Sequence, residues 1–498
     1  MTTLSFHWIN KKQLQSLTKI LAKLKTRSTQ GNLERKIKNI IFDSRKVEKD
    51  SLFVAVKGIQ SDGHRFIESA IEKGATTIVC ETLPEKSDQQ VTFIQVDDSA
   101  EALGFLASAF YDFPSKQLNL IGITGTNGKT STVTLLYKLL TELGFKVGLI
   151  STVENKIGKK VLSTKFTTPD AVSLNALIEE MVAQGCDYAF MEVSSHAVSQ
   201  HRIAGVHFAG GVFTNLTHDH LDYHKTFKDY LNAKKRFFDN LPKESFALVN
   251  IDDKNGSVMV QNTNAQIKTY ALRNLADYKA KIIENSLLGL HLYLDDTELF
   301  SRLIGEFNAY NLLCAYSVAS LLGINENEML PVISNLQTAE GRFDYIQDKK
   351  SGVTAIVDYA HTPDALEKVL STIDHLRTRQ EKVITVVGCG GDRDKTKRPV
   401  MTATACKYSD QVIITSDNPR TEDPETIIKE MEAGIPASAK RKVLSITNRL
   451  QAIRTACQMA SKGDIILVAG KGHEKYQEIN GVRHDFDDKA VLASEMKA

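Results

Sequence analysis

Short apolar runs alternate with amphipathic stretches along the chain, which is the pattern of an α/β protein. Strand-like runs in the first 112 residues are NIIFDSR, SLFVAV, TTIVC and VTFIQV, with helical spacing in GHRFIESAIEKGA between them. From Leu118, the apolar run LNLIGI leads through a glycine-rich turn into TSTVTLLYKLLTELG, whose helical periodicity stops at Gly144. Strands that alternate with helices in this way predict mostly parallel sheets.

The alternation continues toward the C-terminus and restarts once. Further strands are predicted at CDYAFMEV, VHFAGGVFTNL and FALVNID, and a long helix at NAYNLLCAYSVASLLG. The pattern breaks near LQTAEGRFDYI and restarts with TAIVDYA, KVITVVG, DQVIITS and GDIILVAG. We predict three α/β domains: a small N-terminal domain (1–112), a central P-loop domain with a mostly parallel sheet (113–340) and a C-terminal Rossmann-like domain (341–498).

Composition and charge limit the classes of function. The 498 residues are 42% hydrophobic with a formal net charge of +2 at pH 7, so we expect no nucleic-acid partner and no membrane insertion. No segment approaches the roughly 20 apolar residues of a membrane span, and no signal segment is recognised. The six cysteines form no CxxC pair, which is typical of reduced thiols in a cytosolic enzyme. We expect a cytoplasmic protein and a monomer.

The loop between LNLIGI and the next helix has the chemistry of a nucleotide-phosphate site. Its residues are Gly125, Thr126, Asn127, Gly128, Lys129, Thr130 and Ser131. Glycines let backbone N–H groups face phosphate oxygens, Lys129 adds a cation, and Thr130 offers a hydroxyl to Mg²⁺. The strict G-x-x-x-x-G-K-[ST] spacing fails by one place, because the first glycine is Gly122 rather than residue 123. A flexible glycine-rich turn is the alternative, which the flanking strand and helix disfavour.

Metal-capable side chains follow the next two strands. Glu192 ends the strand in FMEVSSHAVSQHRI, at the edge where such sheets bind ligands, so we interpret it as an oxygen ligand for Mg²⁺. A glutamate that caps the following helix is the alternative. After VHFAGGVFTNL comes a dense cluster of such residues, for which a solvated loop is the alternative: His218, Asp219, His220, Asp222 and His224.

Ten motifs occur in an order that resembles the Mur ligase family. They are TGTNGKTST, MEVSSH, TN-x-x-x-DHLDYH, the AK of NAKKRFF, GEFNAYN, GRFD, DYAHTPDAL, GGDRDKTKRP, SDNPRTEDP and AGKGHE. Within the family, the resemblance is to ligases that add the third residue of the peptidoglycan stem peptide. It implies that ATP converts the D-Glu carboxylate of UDP-MurNAc-L-Ala-D-Glu into an acyl phosphate, which the amine of meso-diaminopimelate attacks.

The resemblance implies catalytic and metal roles. The implied catalytic residues are Lys129, Glu192, His220 and Lys234. The implied Mg²⁺ ligands are Thr130, Glu192, His220 and Lys234, the last after CO₂ has converted its amine into a carbamate. An unmodified Lys234 paired with phosphate is the alternative.

The resemblance also implies that the phosphate loop holds ATP together with residues further along the chain. These are Asn308, beside Asn311, in GEFNAYN, Arg342 in GRFD, and Asp358 and His361, on either side of Tyr359, in DYAHTP. A plain contact between domains is the alternative for the three residues of DYAHTP.

Contacts to the UDP-linked substrate are implied in the first two domains. They are Ser44, Gln60, Ser61, Thr167, Thr168, Ser194, Gln200 and Arg202. Arg202 suits a carboxylate or a diphosphate, because its guanidinium can bind two oxygens at once. Ile59 departs from the family pattern, since a polar residue can stand there.

The motif SDNPRTEDP bears on which amino acid is added. meso-Diaminopimelate carries a distal carboxylate that L-lysine lacks, and Arg420 is implied to bind it, because family members that add lysine tend to lack this arginine. Glu474 is implied to take the distal ammonium. The full implied set is Arg393, Asp417, Asn418, Pro419, Arg420, Gly470 and Glu474. A salt bridge to Glu422 or Asp423 is the alternative for Arg420.

Three other functions stay open at this point. The same ligase can add L-lysine, and another ligase on the same scaffold, such as a folylpolyglutamate synthase, shares much of the motif set. A P-loop regulatory protein that binds nucleotide without forming an amide is an alternative of another class. It predicts ATP turnover that does not respond to a carboxylate acceptor.

Overall fold

The structure is a computed structural model, and it describes residues 14–58, 61–85, 89–162, 164, 166–217, 221–348 and 350–496. The chain forms two compact units. Unit 1 comprises Met1–Lys279 and Cys314–Met329, and unit 2 comprises Ala280–Leu313 and Leu330–Ala498. The domain boundaries at residues 112 and 340 stay a prediction.

The first part of unit 1 contains a five-stranded sheet of order β2-β7-β6-β5-β4, which is parallel except at β2. The strands are β1 (Gln15–Ser16), β2 (Ser28–Gln30), β3 (Lys36–Ile37), β4 (Asn39–Ile41), β5 (Ser51–Val54), β6 (Ala75–Cys80) and β7 (Thr92–Gln95). The helices are α1 (Leu17–Leu21), α2 (Ile67–Glu72) and α3 (Ser99–Phe110). The four strands predicted here are confirmed as β4 to β7.

The second part of unit 1 is built on a mostly parallel sheet of order β11-β10-β9-β12-β8-β13-β14-β15, in which only β10 runs opposite to the other strands. The strands are β8 (Asn119–Thr124), β9 (Val147–Ile150), β10 (Asn155–Ile157), β11 (Lys160–Leu162), β12 (Tyr188–Glu192), β13 (Gly210–Phe213), β14 (Phe246–Asn250) and β15 (Gln266–Ala271). The helices are α4 (Lys129–Glu142), α5 (Ala171–Ala183), α6 (Ser195–Ser199), α7 (Leu221–His224), α8 (Phe227–Asp239) and α9 (Gly256–Met259).

The strand order of this sheet explains where polar residues gather. Strand β8 lies between β12 and β13. All three are parallel and buried along nearly their whole length, as in sheets with helices on both faces. Their carboxyl ends therefore open at one edge, where the segments after Thr124, Glu192 and Phe213 leave the sheet together.

Unit 2 contains a six-stranded sheet of order β19-β20-β24-β21-β22-β23, parallel except at β19. The sequence did not predict the antiparallel meander of β16, β17 and β18 or the antiparallel hairpin of β25 and β26. The remaining strands of the chain are β16 (Tyr278–Ser286), β17 (Gly289–Leu294), β18 (Thr297–Ser301), β19 (Asp344–Gln347), β20 (Thr354–Asp358), β21 (Val383–Val387), β22 (Gln411–Ile414), β23 (Val443–Ser445), β24 (Ile465–Ala469), β25 (Tyr476–Ile479) and β26 (Val482–Asp485). The remaining helices are α10 (Glu306–Leu321), α11 (Glu326–Asn335), α12 (Pro363–Leu376), α13 (Lys397–Tyr408), α14 (Pro424–Glu432), α15 (Arg449–Met459) and α16 (Asp488–Glu495).

The cysteines and the helices bear on two further predictions, reduced thiols and no membrane insertion. All six cysteines are free, and five of them are buried. Burial raises the pKa of the Cys314 and Cys389 thiols to about 12, so both stay protonated and inert. No helix in the described ranges combines the length and apolar character needed to cross a bilayer.

Candidate active site

The predicted strand, phosphate loop and helix are all present in unit 1. Helix α4 begins at Lys129, and Gly128 before it has a φ of +86°, a left-handed conformation that glycine adopts without strain. The loop is braced by residues that follow β13. Thr214 donates from Oγ1 to the Asn127 carbonyl at 2.7 Å, and Asn215 accepts from the Thr126 N–H at 2.8 Å. The loop is therefore shaped before any phosphate binds, with the N–H groups of the first helical turn open to an anion.

Two lysine ammonium groups converge on one carbonyl oxygen of this loop. Lys129 Nζ donates to the carbonyls of Gly125 and Thr126, both at 2.9 Å. Lys234 lies on α8 and is only 1% exposed, and its Nζ donates to the same Gly125 oxygen at 2.9 Å. Two like charges held this close repel each other strongly where water is scarce. An anion bound beside the two ammonium groups would relieve this repulsion.

Glu192 lies at the end of β12 and is 1% exposed. Its Oε1 accepts from Thr130 Oγ1 at 2.9 Å and from the Thr152 N–H at 2.8 Å. The helix-cap alternative for Glu192 is wrong, because α6 is capped by Ser194, whose Oγ accepts from the Ala197 N–H at 3.1 Å. The Thr130 hydroxyl and the Glu192 carboxylate stand side by side as hard oxygen donors, which fits Mg²⁺.

The other predicted metal ligands are described only in part. His218, Asp219 and His220 lie outside the described residues, as does the side chain of Asp222. His224 is 7% exposed, and its Nε2 lies 2.9 Å from Ser195 Oγ. Where the structure describes side chains, no three from His, Cys, Asp and Glu converge as a metal site.

The predicted residues for the UDP-linked substrate in the segment before α5 and after β12 lie together. Thr168 donates from Oγ1 to the Glu192 carbonyl at 2.8 Å and accepts from the Ser194 N–H at 3.2 Å. Arg202 donates from Nη1 to the Thr168 carbonyl at 2.8 Å, and from Nε to Gln200 Oε1 at 3.0 Å. Burial lowers the pKa of Arg202, and no described carboxylate forms an ion pair with it. An arginine buried in this way favours an anionic ligand.

Thr152 is a member of this site that the sequence did not predict. Its Oγ1 lies 3.0 Å from Thr167 Oγ1 and donates to Glu192 Oε2 at 3.2 Å. Thr152 therefore links the predicted metal ligand to a predicted substrate contact. The available signal was the polar pair Ser151 and Thr152 directly after the apolar run VGLI, because that run forms β9 beside β12.

The described members of the predicted uridine contacts, Ser44 and Ser61, lie in connections between elements of the N-terminal part of unit 1. Ser44 begins a 3-10 turn, and its carbonyl accepts from Lys73 Nζ at 3.0 Å. Ser61 is exposed, and its carbonyl accepts from the Gly58 N–H at 3.0 Å. Gln60 and Ile59 lie outside the described residues. Among the described residues, no hydrogen bond joins Ser44 or Ser61 to Thr168 or Arg202.

The predicted nucleotide contacts Arg342 and Asp358 belong to unit 2, where they lie next to each other. Asp358 accepts from the Phe343 N–H at 2.7 Å and from the Ala360 N–H at 2.8 Å. The guanidinium carbon of Arg342 lies 4.6 Å from the Tyr359 ring centroid. Burial raises the pKa of Asp358. The Asp358 carboxylate thus joins the backbone at Phe343 to the backbone at Ala360. The Arg342 guanidinium lies close enough to the Tyr359 ring for a cation–π contact.

The other predicted nucleotide contacts are also in unit 2. Asn311 donates from Nδ2 to Asn308 Oδ1 at 3.1 Å, and Asn308 donates from Nδ2 to the Ile304 carbonyl at 2.8 Å. His361 is exposed, and its Nδ1 lies 3.0 Å from the Tyr359 carbonyl. The two asparagines therefore act on one another within α10, which orients their amide groups.

The predicted amino-acid residues gather where β21, β22 and β24 end. Asn418 is 2% exposed, and its Nδ2 donates to Glu474 Oε2 at 2.7 Å. Gly470 has a φ of +117°, and a Cβ added there would lie 2.6 Å from Asp417 Oδ2. Only glycine fits this approach of two strand ends. Burial raises the pKa of Glu474, and the charge of Asp417 acts in the same direction.

Lys471 is a second residue of the site that the sequence did not predict. It is fully buried, its Nζ donates to Asn418 Oδ1 at 3.0 Å, and it lies 3.6 Å from Glu474 Oε2. The positive charge of Lys471 opposes the rise in the pKa of Glu474. The available signal was a lysine inside AGKGHE, directly after an apolar strand.

The salt-bridge alternative for Arg420 is wrong. Glu422 pairs instead with the fully buried Arg398, whose Nη2 lies 2.9 Å from Oε1, and Asp423 caps α14. Arg420 is half-buried and donates from Nη1 to the Gly391 carbonyl at 2.7 Å. No described carboxylate forms an ion pair with Arg420, so its charge is available to a ligand.

Arg393, the second predicted carboxylate contact, behaves differently. It is exposed, and its Nη1 lies 3.4 Å from the Asp392 carbonyl. A Cβ added at Gly390 would lie 2.8 Å from Arg420 Nη1 and 3.9 Å from Arg393 Cγ. Both arginines therefore flank the Gly390 turn, and Pro419 lies in the buried segment just before Arg420.

The Arg398–Glu422 pair predicts a measurable dependence of stability on pH. The hydrogen bond from Arg398 lowers the pKa of Glu422 from 4.5 to about 2. The unfolded chain then binds more protons than the folded chain between these values, so this contribution is present above pH 4.5 and is lost as the pH falls toward 2. We expect the melting temperature of Glu422→Gln to fall less over this range than that of the wild type.

Thermal unfolding at a series of pH values measures this effect. Glu328→Gln, at an exposed glutamate of unit 1, is the control. Parallel curves for the wild type and Glu422→Gln would contradict the prediction.

Comparison with known proteins adds independent information. Three domain families match in order: the Mur ligase family catalytic domain over residues 36–111, the Mur ligase middle domain over 123–319, and the Mur ligase glutamate ligase domain over 341–472. A UDP-N-acetylmuramoyl-L-alanyl-D-glutamate–2,6-diaminopimelate ligase of Cytophaga hutchinsonii is 57% identical over 474 residues, which covers 95% of this chain and 97% of that protein. Its namesake in Phocaeicola vulgatus is 54% identical over 476 residues, or 96% and 98% of the two chains.

The fold agrees with a solved structure as well. A UDP-N-acetylmuramoyl-L-alanyl-D-glutamate–2,6-diaminopimelate ligase aligns over 97% of this chain and 99% of its own, with a TM-score of 0.71 and 34% identity. The predicted α/β fold class with three Mur ligase domains is confirmed, as is the prediction of a peptide-forming ligase. The chain belongs to the Mur ligase family.

Proposed function

We propose that this chain is an ATP-dependent ligase that joins meso-diaminopimelate to the D-Glu carboxylate of UDP-MurNAc-L-Ala-D-Glu in peptidoglycan precursor synthesis. The observation that carries the choice of amino acid is Arg420, a half-buried cation that no described carboxylate neutralises. The relatives at 54–57% identity carry the name of this activity. A cytoplasmic location and a monomeric state remain predictions.

The chemistry has two bond-forming steps. A carboxylate is a poor electrophile, so an oxygen of the D-Glu carboxylate first attacks the γ-phosphorus of ATP, and ADP leaves. The amine of diaminopimelate then attacks the carbonyl carbon of the acyl phosphate, and the tetrahedral intermediate collapses to an amide as phosphate leaves. Negative charge collects on phosphate oxygens throughout, so cations and N–H donors are what the protein must supply.

The phosphate loop supplies these donors. N–H groups at the start of α4 face the phosphates, and Lys129 exchanges its hydrogen bonds to the loop carbonyls for the β- and γ-phosphate oxygens. Thr130 and Glu192 would hold Mg²⁺, since their oxygens lie 2.9 Å apart. When bound, Mg²⁺ neutralises phosphate charge and polarises the group in transfer. His220, which lies outside the described residues, would hold a second Mg²⁺.

Lys234 is proposed to act as a carbamate. Its amine nitrogen attacks the carbon of CO₂ and releases a proton, which converts a cation into an anion. The two ammonium groups that share the Gly125 oxygen would then become an ion pair, and the repulsion between them would become attraction. The product is a buried carboxylate-like group suited to a metal ion.

The UDP-linked substrate is proposed to bind beside Glu192. Arg202 and Gln200 bind its anionic groups, and Thr167, Thr168 and Ser194 position the muramoyl dipeptide. Ser44, Gln60 and Ser61 contact the uridine diphosphate. Asn308, Arg342, Asp358 and His361 complete the contacts to ATP.

At the amino-acid site, complementary charges meet the two ends of diaminopimelate. Arg420 and Arg393 take carboxylates, and Glu474 takes the distal ammonium, with Asn418 and Lys471 holding it in place. Asp417, Pro419 and Gly470 shape the walls. L-Lysine would leave the half-buried charge of Arg420 without a partner, which is unfavourable because that charge is partly withdrawn from water.

Phosphate release from ATP tests the proposed function directly. With UDP-MurNAc-L-Ala-D-Glu present, we expect strong stimulation by meso-diaminopimelate and little by L-lysine. The expected product is the UDP-linked tripeptide, which mass spectrometry identifies. The control omits the UDP-linked acceptor, which should abolish release.

Each other outcome has a distinct meaning. Stimulation by lysine alone would retain the ligase and overturn the choice of amino acid. Stimulation by glutamate with a folate acceptor would point to the folylpolyglutamate synthase alternative. ATP turnover that ignores every acceptor would point to a regulatory nucleotide-binding protein.

A further inference from the structure

An exposed β-hairpin follows the AGKGHE segment and makes unusual contacts with the loop after β22. It comprises β25 and β26, which pair from Tyr476 with Asp485 to Ile479 with Val482. Asn480 and Gly481 form its turn with φ of +49° and +77°. This is the pattern of a type I′ turn, which Asn-Gly favours. We term residues 476–485 the clamp hairpin.

The clamp hairpin binds both the backbone N–H and the backbone carbonyl of Arg420. The Arg420 N–H donates to the Glu478 carbonyl at 3.0 Å, and the Asn480 N–H donates to the Arg420 carbonyl at 2.6 Å. Arg420 has a φ of +52°, a conformation that side-chain-bearing residues rarely adopt. Such strain persists only where the surrounding structure enforces it. The two hydrogen bonds to the hairpin contribute to this enforcement, together with contacts from Gly391 and Asp392 to the same loop.

The same hairpin also fixes the residues before Arg420. The Glu478 N–H donates to Asn418 Oδ1 at 2.9 Å, and Gln477 Nε2 donates to the Asp417 carbonyl at 2.7 Å. Asn418 in turn donates to Glu474. One hairpin therefore sets the positions of Arg420, which faces a carboxylate in the proposed function, and of Asn418, which orients the carboxylate of Glu474.

The hairpin contributes little to the core of unit 2. All four residues of β26 are exposed, and none of β25 is buried. An element that packs so little apolar surface adds little to the free energy of folding through burial. Its contacts are concentrated on the loop from Asp417 to Arg420. The hairpin is therefore placed to position this loop rather than to stabilise unit 2.

We propose that the clamp hairpin positions the amino-acid site for diaminopimelate, by holding Arg420 in its strained backbone conformation and Asn418 in its rotamer. The inference rests on the proposed function, since it concerns how the same site recognises its amino acid. Gln477 and Gly481 are positioning residues in this account, because neither needs to touch the amino acid. Loosening the turn should let Arg420 relax and move its guanidinium away from the distal carboxylate.

Gly481 allows a test that alters the turn without a steric clash. A Cβ added there meets nothing within 4 Å, yet the φ of +77° disfavours a side chain. Gly481→Val should therefore strain the turn, whereas Gly481→Asn should preserve it, because asparagine tolerates this conformation. Gly463→Val is the matched control, because Gly463 has a φ of +85° and a Cβ added there also meets nothing within 4 Å. Gly463 precedes β24, whereas Gly470 of the amino-acid site follows that strand.

Two readouts separate positioning from general destabilisation. Hydrogen exchange of the peptide that contains residues 417–422, without substrate, reports the hairpin-to-loop contacts directly. Steady-state kinetics report KM for the amino acid, for ATP and for the UDP-linked acceptor. In Gly481→Val we expect faster exchange and a rise of about tenfold in KM for diaminopimelate alone, since a 1 Å misplacement can cost up to about 10²-fold. Gly481→Asn should resemble the wild type, and Gly463→Val should lower the melting temperature without changing this KM.

Gln477→Met provides a second variant if Gly481→Val does not fold. It removes the donor to the Asp417 carbonyl and leaves the turn intact, and it should raise the same KM. Unchanged exchange and an unchanged KM for the amino acid in either folded variant would overturn the proposal. If the wild type uses an amino acid other than diaminopimelate, the proposed choice of amino acid is wrong. The role of the hairpin is then decided by the KM of the variants for the amino acid that the wild type uses.

Discussion

Lys234→Ala is expected to lower kcat by about 10²–10³-fold, the range seen when one preorganised electrostatic contact to a transition state is removed. Lys234 is 1% exposed and shares the Gly125 oxygen with Lys129. Its loss removes either a carbamate, as proposed, or a cation that binds phosphate. In both cases the charge balance around the phosphate in transfer changes where water cannot compensate.

Chemical rescue distinguishes the two possibilities. Alanine leaves room for a small molecule in place of the lysine side chain. If the active group is a carbamate, acetate or formate should restore part of the activity, and ethylammonium should not. If the active group is an ammonium, the reverse is expected. Phosphate-release assays of Lys234→Ala with each additive, at constant ionic strength, make the comparison.

The matched control is Lys228→Ala, an exposed lysine one and a half turns earlier on the same helix. It should retain wild-type kcat with or without additives. Depletion of CO₂ and bicarbonate should slow the wild type in the carbamate case. Rescue by ethylammonium alone would overturn the carbamate assignment and retain Lys234 as a catalytic cation.

Arg420→Ala is expected to reduce kcat/KM for meso-diaminopimelate by about 10²–10³-fold, and to change the low value for L-lysine by less than about threefold. The arginine is half-buried and has no described carboxylate partner of its own. Truncating one member of a buried, hydrogen-bonded charge pair typically costs about 2–5 kcal/mol, because the other charge stays buried without a partner. Lysine has no carboxylate at this end, so it loses nothing.

Steady-state kinetics with both amino acids at fixed ATP and acceptor measure this selectivity. Arg393→Ala is the comparison variant, because Arg393 flanks the same turn but is exposed. It should affect diaminopimelate less, since exposed charges are screened by solvent. Equal losses with diaminopimelate and lysine in Arg420→Ala would contradict the role given to this residue.

Much of the phosphate site was predictable because its determinants are local. The apolar run before Gly125 and the periodic stretch after Lys129 predicted a strand, a loop and a helix, and all three are present. Neighbouring strands in a parallel sheet end at one edge, so Glu192 was expected near the loop, and it bonds Thr130. Backbone geometry, rather than any long-range detail, connects these residues.

Other members of the two sites were not predictable in this way. Thr152 and Lys471 each follow an apolar strand closely, but this local signal is too common to assign a role, and their roles arise from neighbours that fold next to them. The partner of Glu422 is Arg398, 24 residues away, rather than the nearby Arg420. The clamp hairpin was not predicted, although Asn-Gly is a typical hairpin turn, and no local pattern indicates its contacts with Arg420.

The sequence by itself determined the α/β class, the strand-to-helix alternation, the phosphate loop and the family, because each depends on periodicity or on residues close together in the chain. The tertiary structure alone decided which charges are paired and which remain available to a ligand. It placed Lys129 and Lys234 on one carbonyl oxygen, and it held Arg420 in a strained conformation against a hairpin nearly 60 residues further along. Charge pairing and backbone strain depend on distances across the fold, and these are set only when strands far apart in sequence pack side by side.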